Sequence, residues 1–165
     1  MNNKNVTAFL IAAICLLAVG YASLTQRLTI NGTSKITGTW NVHFQNEQLV
    51  SASTGVEAGT PSLIGTTQME FSAVVKKPGD TVTYSVVVKN DGTIPAKLAS
   101  VGESTTGTAS DIQWSYSGVT ENTTVLAAGQ SAVVTVVGTF DPEATTITDG
   151  ETSTYTLTLN FAQNN

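Results

Sequence analysis

The chain has almost no cysteine: among its 165 residues only Cys15 carries a thiol. No internal disulfide can form, so stability has to come from burial and strand pairing. Histidine is equally scarce, with His43 the single one. One imidazole cannot by itself build a catalytic dyad or a multi-histidine metal site. No HExxH, GxSxG or P-loop pattern occurs either, so neither a catalytic residue nor a cofactor is expected. Positive charge is thin. After residue 22 the six cations Arg27, Lys35, Lys76, Lys77, Lys89 and Lys97 stand against twelve carboxylates, a formal balance of −6. An acidic surface without a basic stripe argues against nucleic acid and anionic lipid as partners. Long helical periodicity is missing beyond Leu24, as are internal repeats and a Pro-rich linker.

What is present begins with a leader-like segment. Asn2, Asn3, Lys4 and Asn5 are polar, and an apolar run follows from Val6 to Val19. Gly20-Tyr21-Ala22-Ser23 closes it. A short basic head, an apolar middle and a small-residue exit is the pattern of an export signal. Cutting after Ala22, with Gly20 as the other small residue, would release a chain starting at Ser23. Cutting after Gly20 is the alternative. Uncleaved, residues 6–24 would be about 28 Å long as a helix, barely enough to anchor the protein in a bilayer. Lys4 would then stay inside and send the domain out. A surface amphipathic helix does not fit, because the run has no polar face. Ile14 precedes Cys15 where lipidation would need a small residue, so Cys15 reads as apolar filler.

Beyond the leader, period-two alternation marks strands. Arg27-Leu28-Thr29-Ile30 starts the first, and Asn31-Gly32 turns it. Trp40, Val42 and Phe44 alternate with Asn41 and His43, which places the aromatic residues inside and His43 outside. Met69, Phe71 and Ala73 form the next inward row. Lys77-Pro78-Gly79-Asp80 is a turn, followed by the row Val82, Tyr84, Val86 and Val88. Asn90-Asp91-Gly92-Thr93 turns again, with Asp-Gly tolerating the positive φ of a tight turn. Ile94, Ala96 and Leu98 open another strand. Further rows are Ile112, Trp114 and Tyr116; then Ala132, Val134, Val136, Gly138 and Phe140; and last Tyr155, Leu157, Leu159 and Phe161. Residues 51–67 and 102–110 are small, polar and unpatterned, and are expected to be surface loops. The whole predicts an all-β protein, a single antiparallel β-sandwich of immunoglobulin-like or jelly-roll type with about eight or nine strands. An N-terminal apolar helix precedes it. Residues 1–22 form the export signal or anchor, and 23–165 the sandwich domain.

Chemical signals are few. Asp141-Pro142-Glu143 and Asp149-Gly150-Glu151 could offer oxygen ligands to Ca²⁺, but the spacing fits no EF-hand loop and turn residues explain it, so no metal is expected. Trp40, Trp114 and Tyr116 could stack on sugars, yet their alternation with polar residues assigns them to the core. Asn31-Gly32-Thr33 and Asn122-Thr123-Thr124 match the glycosylation sequon, a frequent chance match in a Thr-rich chain.

Residues 77–98 carry Pro78-Gly79-Asp80, Val88, Asn90, Gly92-Thr93, Ala96 and Leu98. This block resembles the one in exported bacterial β-sandwich proteins of the camelysin and TasA-like group, which form biofilm-matrix fibres. The export segment followed at once by a strand is similar too, as is Leu126-Ala127-Ala128-Gly129-Gln130-Ser131 leading into a Val-rich strand. The chain departs from that group at Tyr21-Ala22-Ser23-Leu24, where an aromatic-Ser-Asp element is usual. The resemblance implies a fibre subunit whose N-terminal strand completes the next subunit's sheet. Here that strand would run from Ser23 through Leu24, Arg27, Leu28 and Ile30 to Ile36. The expected protein is therefore non-enzymatic and structural, outside the cell or on the surface of a Gram-positive bacterium. Its main partner would be itself, with cell-surface or matrix components as further partners. Membrane contact would arise only through residues 6–24, if they are retained. The alternative is an anchored adhesion or carbohydrate-binding module. A metalloprotease, which the camelysin likeness also raises, conflicts with the single His43.

Overall fold

The computed structural model describes residue 11 and residues 38–109, 111–144 and 151–164. The chain separates between Ile36 and Thr37 into two units, and the fold described here belongs to the second. The expected N-terminal helix, the cleavage residues Ala22 and Ser23, and Leu24, Arg27, Leu28, Ile30 and Ile36 all lie outside the described residues.

Ten strands occur among the described residues. They are β1 (Val42–Ala52), β2 (Glu57–Ala58), β3 (Ser62–Leu63), β4 (Gln68–Val74), β5 (Thr81–Asn90), β6 (Ala96–Gly107), β7 (Ile112–Ser117), β8 (Val125–Leu126), β9 (Ser131–Phe140) and β10 (Thr152–Gln163). One sheet has the order β1-β5-β9-β7; the other runs β2-β4-β10-β6-β8, with β3 also paired to β4. Every pairing is antiparallel. The two sheets face each other as a β-sandwich, because the inward rows of both enter one hydrophobic cluster. Val82, Tyr84, Val86 and Val88 of β5 meet Met69 and Phe71 of β4 and Tyr155, Leu157 and Leu159 of β10. Alternation in the sequence becomes alternation of burial because successive side chains leave a strand on opposite faces. A smaller cluster of Val75, Ala109, Ile112 and Phe140 forms a second packing centre.

Three expectations need correction. Residues 102–107 are strand rather than loop: they continue β6 and pair with β10 from Gly102↔Thr158 to Gly107↔Ser153. Both faces of this half-strand are polar because it stands at a sheet edge, where neither face is fully covered. The stretch 51–67 also contains β2 and β3, each only two residues long. Trp40 is not core but 47% exposed. The pleat begins only at Val42, and the chain before it is tied to a turn instead. Asp91 donates its N–H to the Asn41 carbonyl, and Thr93 to that of Thr39.

That turn is held by Asn90, fully buried at the end of β5. Its Nδ2 donates to Ile94 O at 2.8 Å and Leu126 O at 3.0 Å, while its Oδ1 accepts the Gly92 N–H at 3.0 Å. Gly92 does not have a positive φ. It is needed for close approach: a Cβ there would lie 2.4 Å from Thr39 O. Asp80 closes the preceding turn in a similar way, accepting the N–H groups of Lys76 and Lys77. Replacing Asn90 by Ala strips buried backbone groups of their partners. The expected loss is about 2–4 kcal/mol, read as a lower urea midpoint with an unchanged slope.

Candidate functional site

The inner faces of the sandwich meet in an aromatic layer. Tyr84 lies 5.3 Å from Phe71 across the sheets, and Trp114 lies 5.4 Å from Tyr155 with the rings 7° from parallel. Trp114 reaches this position by lying over Gly138 on the neighbouring strand, where a Cβ would stand 2.9 Å from the indole. Its Nε1 donates to Ser153 Oγ at 2.8 Å, satisfying both groups inside the core.

The layer opens toward one side of the sandwich, between β6 and β7. Along β6, Val101, Glu103 and Thr105 pair with Leu159, Leu157 and Tyr155, so their side chains share the inward face. Glu103 thus brings a carboxylate to the mouth of the seam, where Tyr155 donates its hydroxyl to Oε2 at 2.5 Å. Glu121 accepts the N–H of Val101, two residues before Glu103 on β6. On the opposite wall, β7 presents the half-buried Trp114 and Tyr116.

Electrostatics follow from this placement. Burial pushes the Tyr84 phenol up to about 12, against a smaller opposing effect of the Gly59 backbone, and its hydroxyl donates to the Ser72 carbonyl at 2.6 Å. Tyr155 is pushed up further, first by burial and then by its bond to Glu103. Tyr116 is also raised, by burial and then by the charges of Glu103 and Glu121. Tyr84 and Tyr155 are hydrogen-bond donors and packing surfaces at neutral pH, not proton acceptors.

Known proteins offer no guide. No family model, no curated protein and no solved structure matches the chain.

The backbone of the β6 edge is the most distinctive feature of the seam. Leu159 donates its N–H to Thr67 on the β4 side, and Thr108 donates to Thr152 of β10. The two-residue period then sends the N–H and C=O groups of Glu103 and Thr105 away from β10. The only strand on that flank among the described residues, β8, pairs with Ala96 and Lys97 and stops there. On β7 the same logic applies. Phe140 donates to Asp80 on the β5 side, so Trp114 and Tyr116 aim their backbone groups outward.

Other expected sites are dispersed. Trp40 precedes β1, at the opposite edge of its sheet from Trp114 and Tyr116, so the three aromatic residues form no common platform. His43 is more enclosed than expected, with its side chain 27% exposed and Nε2 3.6 Å from Asp91 Oδ2. Its Nδ1 is buried without a hydrogen-bond partner. With Phe44, Leu63, Ile64, Gly65 and Thr66 it lines a shallow groove of about 360 Å³. Asp141 accepts the Glu143 N–H at 2.9 Å in a local turn, while Asp149 and Gly150 lie outside the described residues. Asn122 is exposed in a turn, with φ 56°. Among the described residues no group of three or more His, Cys, Asp or Glu side chains is placed to hold a metal.

Glu103 and Glu121 were missed by pattern reading. The row Ala96, Leu98 continues as Val101, Glu103 and Thr105 only after a one-residue shift opposite Asn160 and Phe161, a bulge that breaks the alternation.

The raised phenols predict an alkaline limit to stability. The fold favours the neutral form, whereas an unfolded tyrosine ionises near its ordinary pKa of about 10. Stability is intact below that value and is lost as pH climbs toward about 12. The urea midpoint should hold up to about pH 9 and drop above about pH 10. Phenolate absorbance from Tyr84 and Tyr155 should appear together with unfolding rather than before it.

Proposed function

We propose that this is an exported, non-enzymatic structural protein that assembles with copies of itself outside the cell or on the surface of a Gram-positive bacterium. The reading places it with the camelysin and TasA-like fibre proteins, with a sandwich of immunoglobulin-like or jelly-roll type. Residues 23–36, freed by cleavage after Ala22, act as a strand donated to a neighbouring subunit.

The observation that carries this reading is the outward-facing backbone of Glu103 and Thr105 on β6, which no described strand meets, although the Val101 N–H before them is taken by Glu121. An open edge of this kind bonds readily to an added strand. The other long edge, β1, is less receptive. It is bent by register shifts between Gln45 and Gln48 and between Leu49 and Ser51, with Asn46 at φ 54°. Its Phe44 N–H is already taken by the Thr66 carbonyl at 2.7 Å. The sequence adds the leader-like segment, the lack of a catalytic set and the block at residues 77–98.

Negative-stain microscopy of the exported protein tests the proposal. Filaments are expected from the wild type and none after deletion of residues 23–36. Monomers alone under all conditions, with no effect of the deletion, would overturn it.

The exposed Trp40 favours a second reading, an anchored adhesion or carbohydrate-binding module, since an exposed indole is a stacking surface for sugar rings. Glycan-array binding that is lost in Trp40→Ala is the outcome this reading requires. An array without hits removes it.

A further inference from the structure

We infer that the corner of the sandwich formed by Trp40 and the Leu63-Ile64 loop is a lipid-facing surface that rests on the outer leaflet of the bilayer. The inference goes beyond self-assembly. It rests on residues 6–24 acting as an export segment, which attaches the chain to a bilayer until it is cut and for longer where it is retained.

Three observations converge on this corner. First, its apolar side chains are displayed rather than packed. Trp40 is 47% exposed, Leu63 49% and Ile64 54%. The loop that carries the last two is fixed by backbone bonds to both sheets. Ile64 and Gly65 donate their N–H groups to the Gln68 carbonyl, while the Thr66 carbonyl accepts the Phe44 N–H of β1 and the Thr67 carbonyl that of Leu159 on β10. Trp40 stands four residues before Phe44, and the carbonyls on either side of it are taken by the N–H groups of Thr93 and Asp91. Apolar side chains held out on fixed backbone mark a contact surface.

Second, charge is segregated along the strands. Among the described residues, the end where β1 and β9 start and β5 and β10 finish carries Lys89 and Lys97 against Asp91 and Glu121. Lys89 and Asp91 are themselves paired at 2.8 Å. The opposite end carries Glu57, Asp80, Asp111, Asp141, Glu143 and Glu151 against Lys76 and Lys77, with Glu47, Glu70 and Glu103 in between. The acidity that argues against anionic lipid for the chain as a whole therefore sits away from this corner. A negatively charged leaflet turns the acidic end outward and leaves the balanced end free to approach.

Third, the apolar run of residues 6–24 ends only sixteen positions before Trp40. Attachment so near in sequence raises the effective concentration of the corner at the surface, so a contact too weak to hold a free domain becomes populated.

A bilayer fits this corner better than a sugar or a second sandwich. Indole favours the headgroup region, where its apolar body and its polar N–H both find partners. Leu63 and Ile64 offer hydrocarbon alone. The polar side chains nearest Trp40 in the turn are already engaged, Thr39 with Thr93 and Asp91 with Lys89, which leaves little to orient a sugar. Three side chains are also far short of the area that a stable protein–protein interface buries.

Fluorescence of the full chain reconstituted in phosphatidylcholine vesicles tests this. Trp40 and Trp114 are the two indoles of the chain, and Trp114 belongs to the core, so the difference between wild type and Trp40→Phe isolates Trp40. A nitroxide-labelled lipid should quench that difference signal by at least about twofold, and aqueous iodide should lose access to it. The paired substitution Leu63→Ser and Ile64→Ser should abolish the lipid quenching and leave the urea midpoint unchanged, since both side chains are exposed. Adding phosphatidylglycerol should leave the quenching in place, and its loss there would overturn the charge argument and the inference with it. A chain that is attached to vesicles while Trp40 stays open to iodide and unquenched by lipid would keep the export segment and overturn this contact. A chain that does not attach at all would remove both. Quenching that survives the serine pair would overturn the assignment to this corner. Shielding of Trp40 without lipid that grows with protein concentration would give the surface to a second copy, and shielding by a soluble glycan instead of lipid would give it to a sugar; either overturns the bilayer.

Discussion

The aromatic contact between the sheets is the constraint on which the rest of the sandwich depends. With no disulfide available beyond Cys15, the two sheets are joined only by what their inner faces bury. Phe71, Tyr84, Trp114 and Tyr155 bridge the central strands β4, β5 and β10 and the edge strand β7. Each aromatic pair contributes about 0.5–1.5 kcal/mol beyond the area it buries. The polar tips are all satisfied, through Ser72 O, Ser153 Oγ and Glu103 Oε2. Fixing the Trp114 ring over Gly138 and against Tyr155 also fixes the register of β7 on β9, and hence where the sandwich stops.

Where it stops differs on its two sides. At the β1 side the chain bends its edge with bulges and places a loop against Phe44. In the second sheet, β2 and β3 beside β4 and β8 beside β6 are two-residue stubs, too short to template an added strand. Among the described residues the lower half of β6 has no bulge, and it is straight in register from Ser100 to Gly107. Its protection is chemical: a carboxylate turned inward and a second one on its first outward N–H. The same Glu103 that accepts the hydrogen bond of Tyr155 therefore also sits at this edge.

Much of the core was legible in the sequence because burial in a sandwich has a period of two. The rows on β4, β5, β9 and β10 were readable residue by residue, and Ala132, Val134, Val136, Gly138 and Phe140 share one face as expected. The half-strand at residues 102–107 was not legible, because an edge strand with a wet inner face loses the alternation that identifies it. Trp40 was misplaced for the reverse reason. It continues the alternation of β1 by two residues, but the Asn90 turn captures the backbone before the pleat begins. The role of Glu103 depends on its pairing with Leu157, fifty-four positions away in sequence, and such register is invisible to local pattern.

An edge gated by charge and an edge that is merely sticky make different demands on the rest of the chain. A sticky edge needs apolar residues on both faces and aggregates with any strand it meets. Here the outward face of β10 and β6 is threonine, serine and asparagine, with Asn160 bonded to Ser100 across the two strands. Such a face adds little adhesion. All the carboxylate side chains lie at or beyond Glu47, and the charged side chains before it are cationic. Two β6 edges meeting face to face would bring Glu103 and Glu121 against their own kind. Like-charge contact in a half-buried seam disfavours the symmetric pairing of two β6 edges.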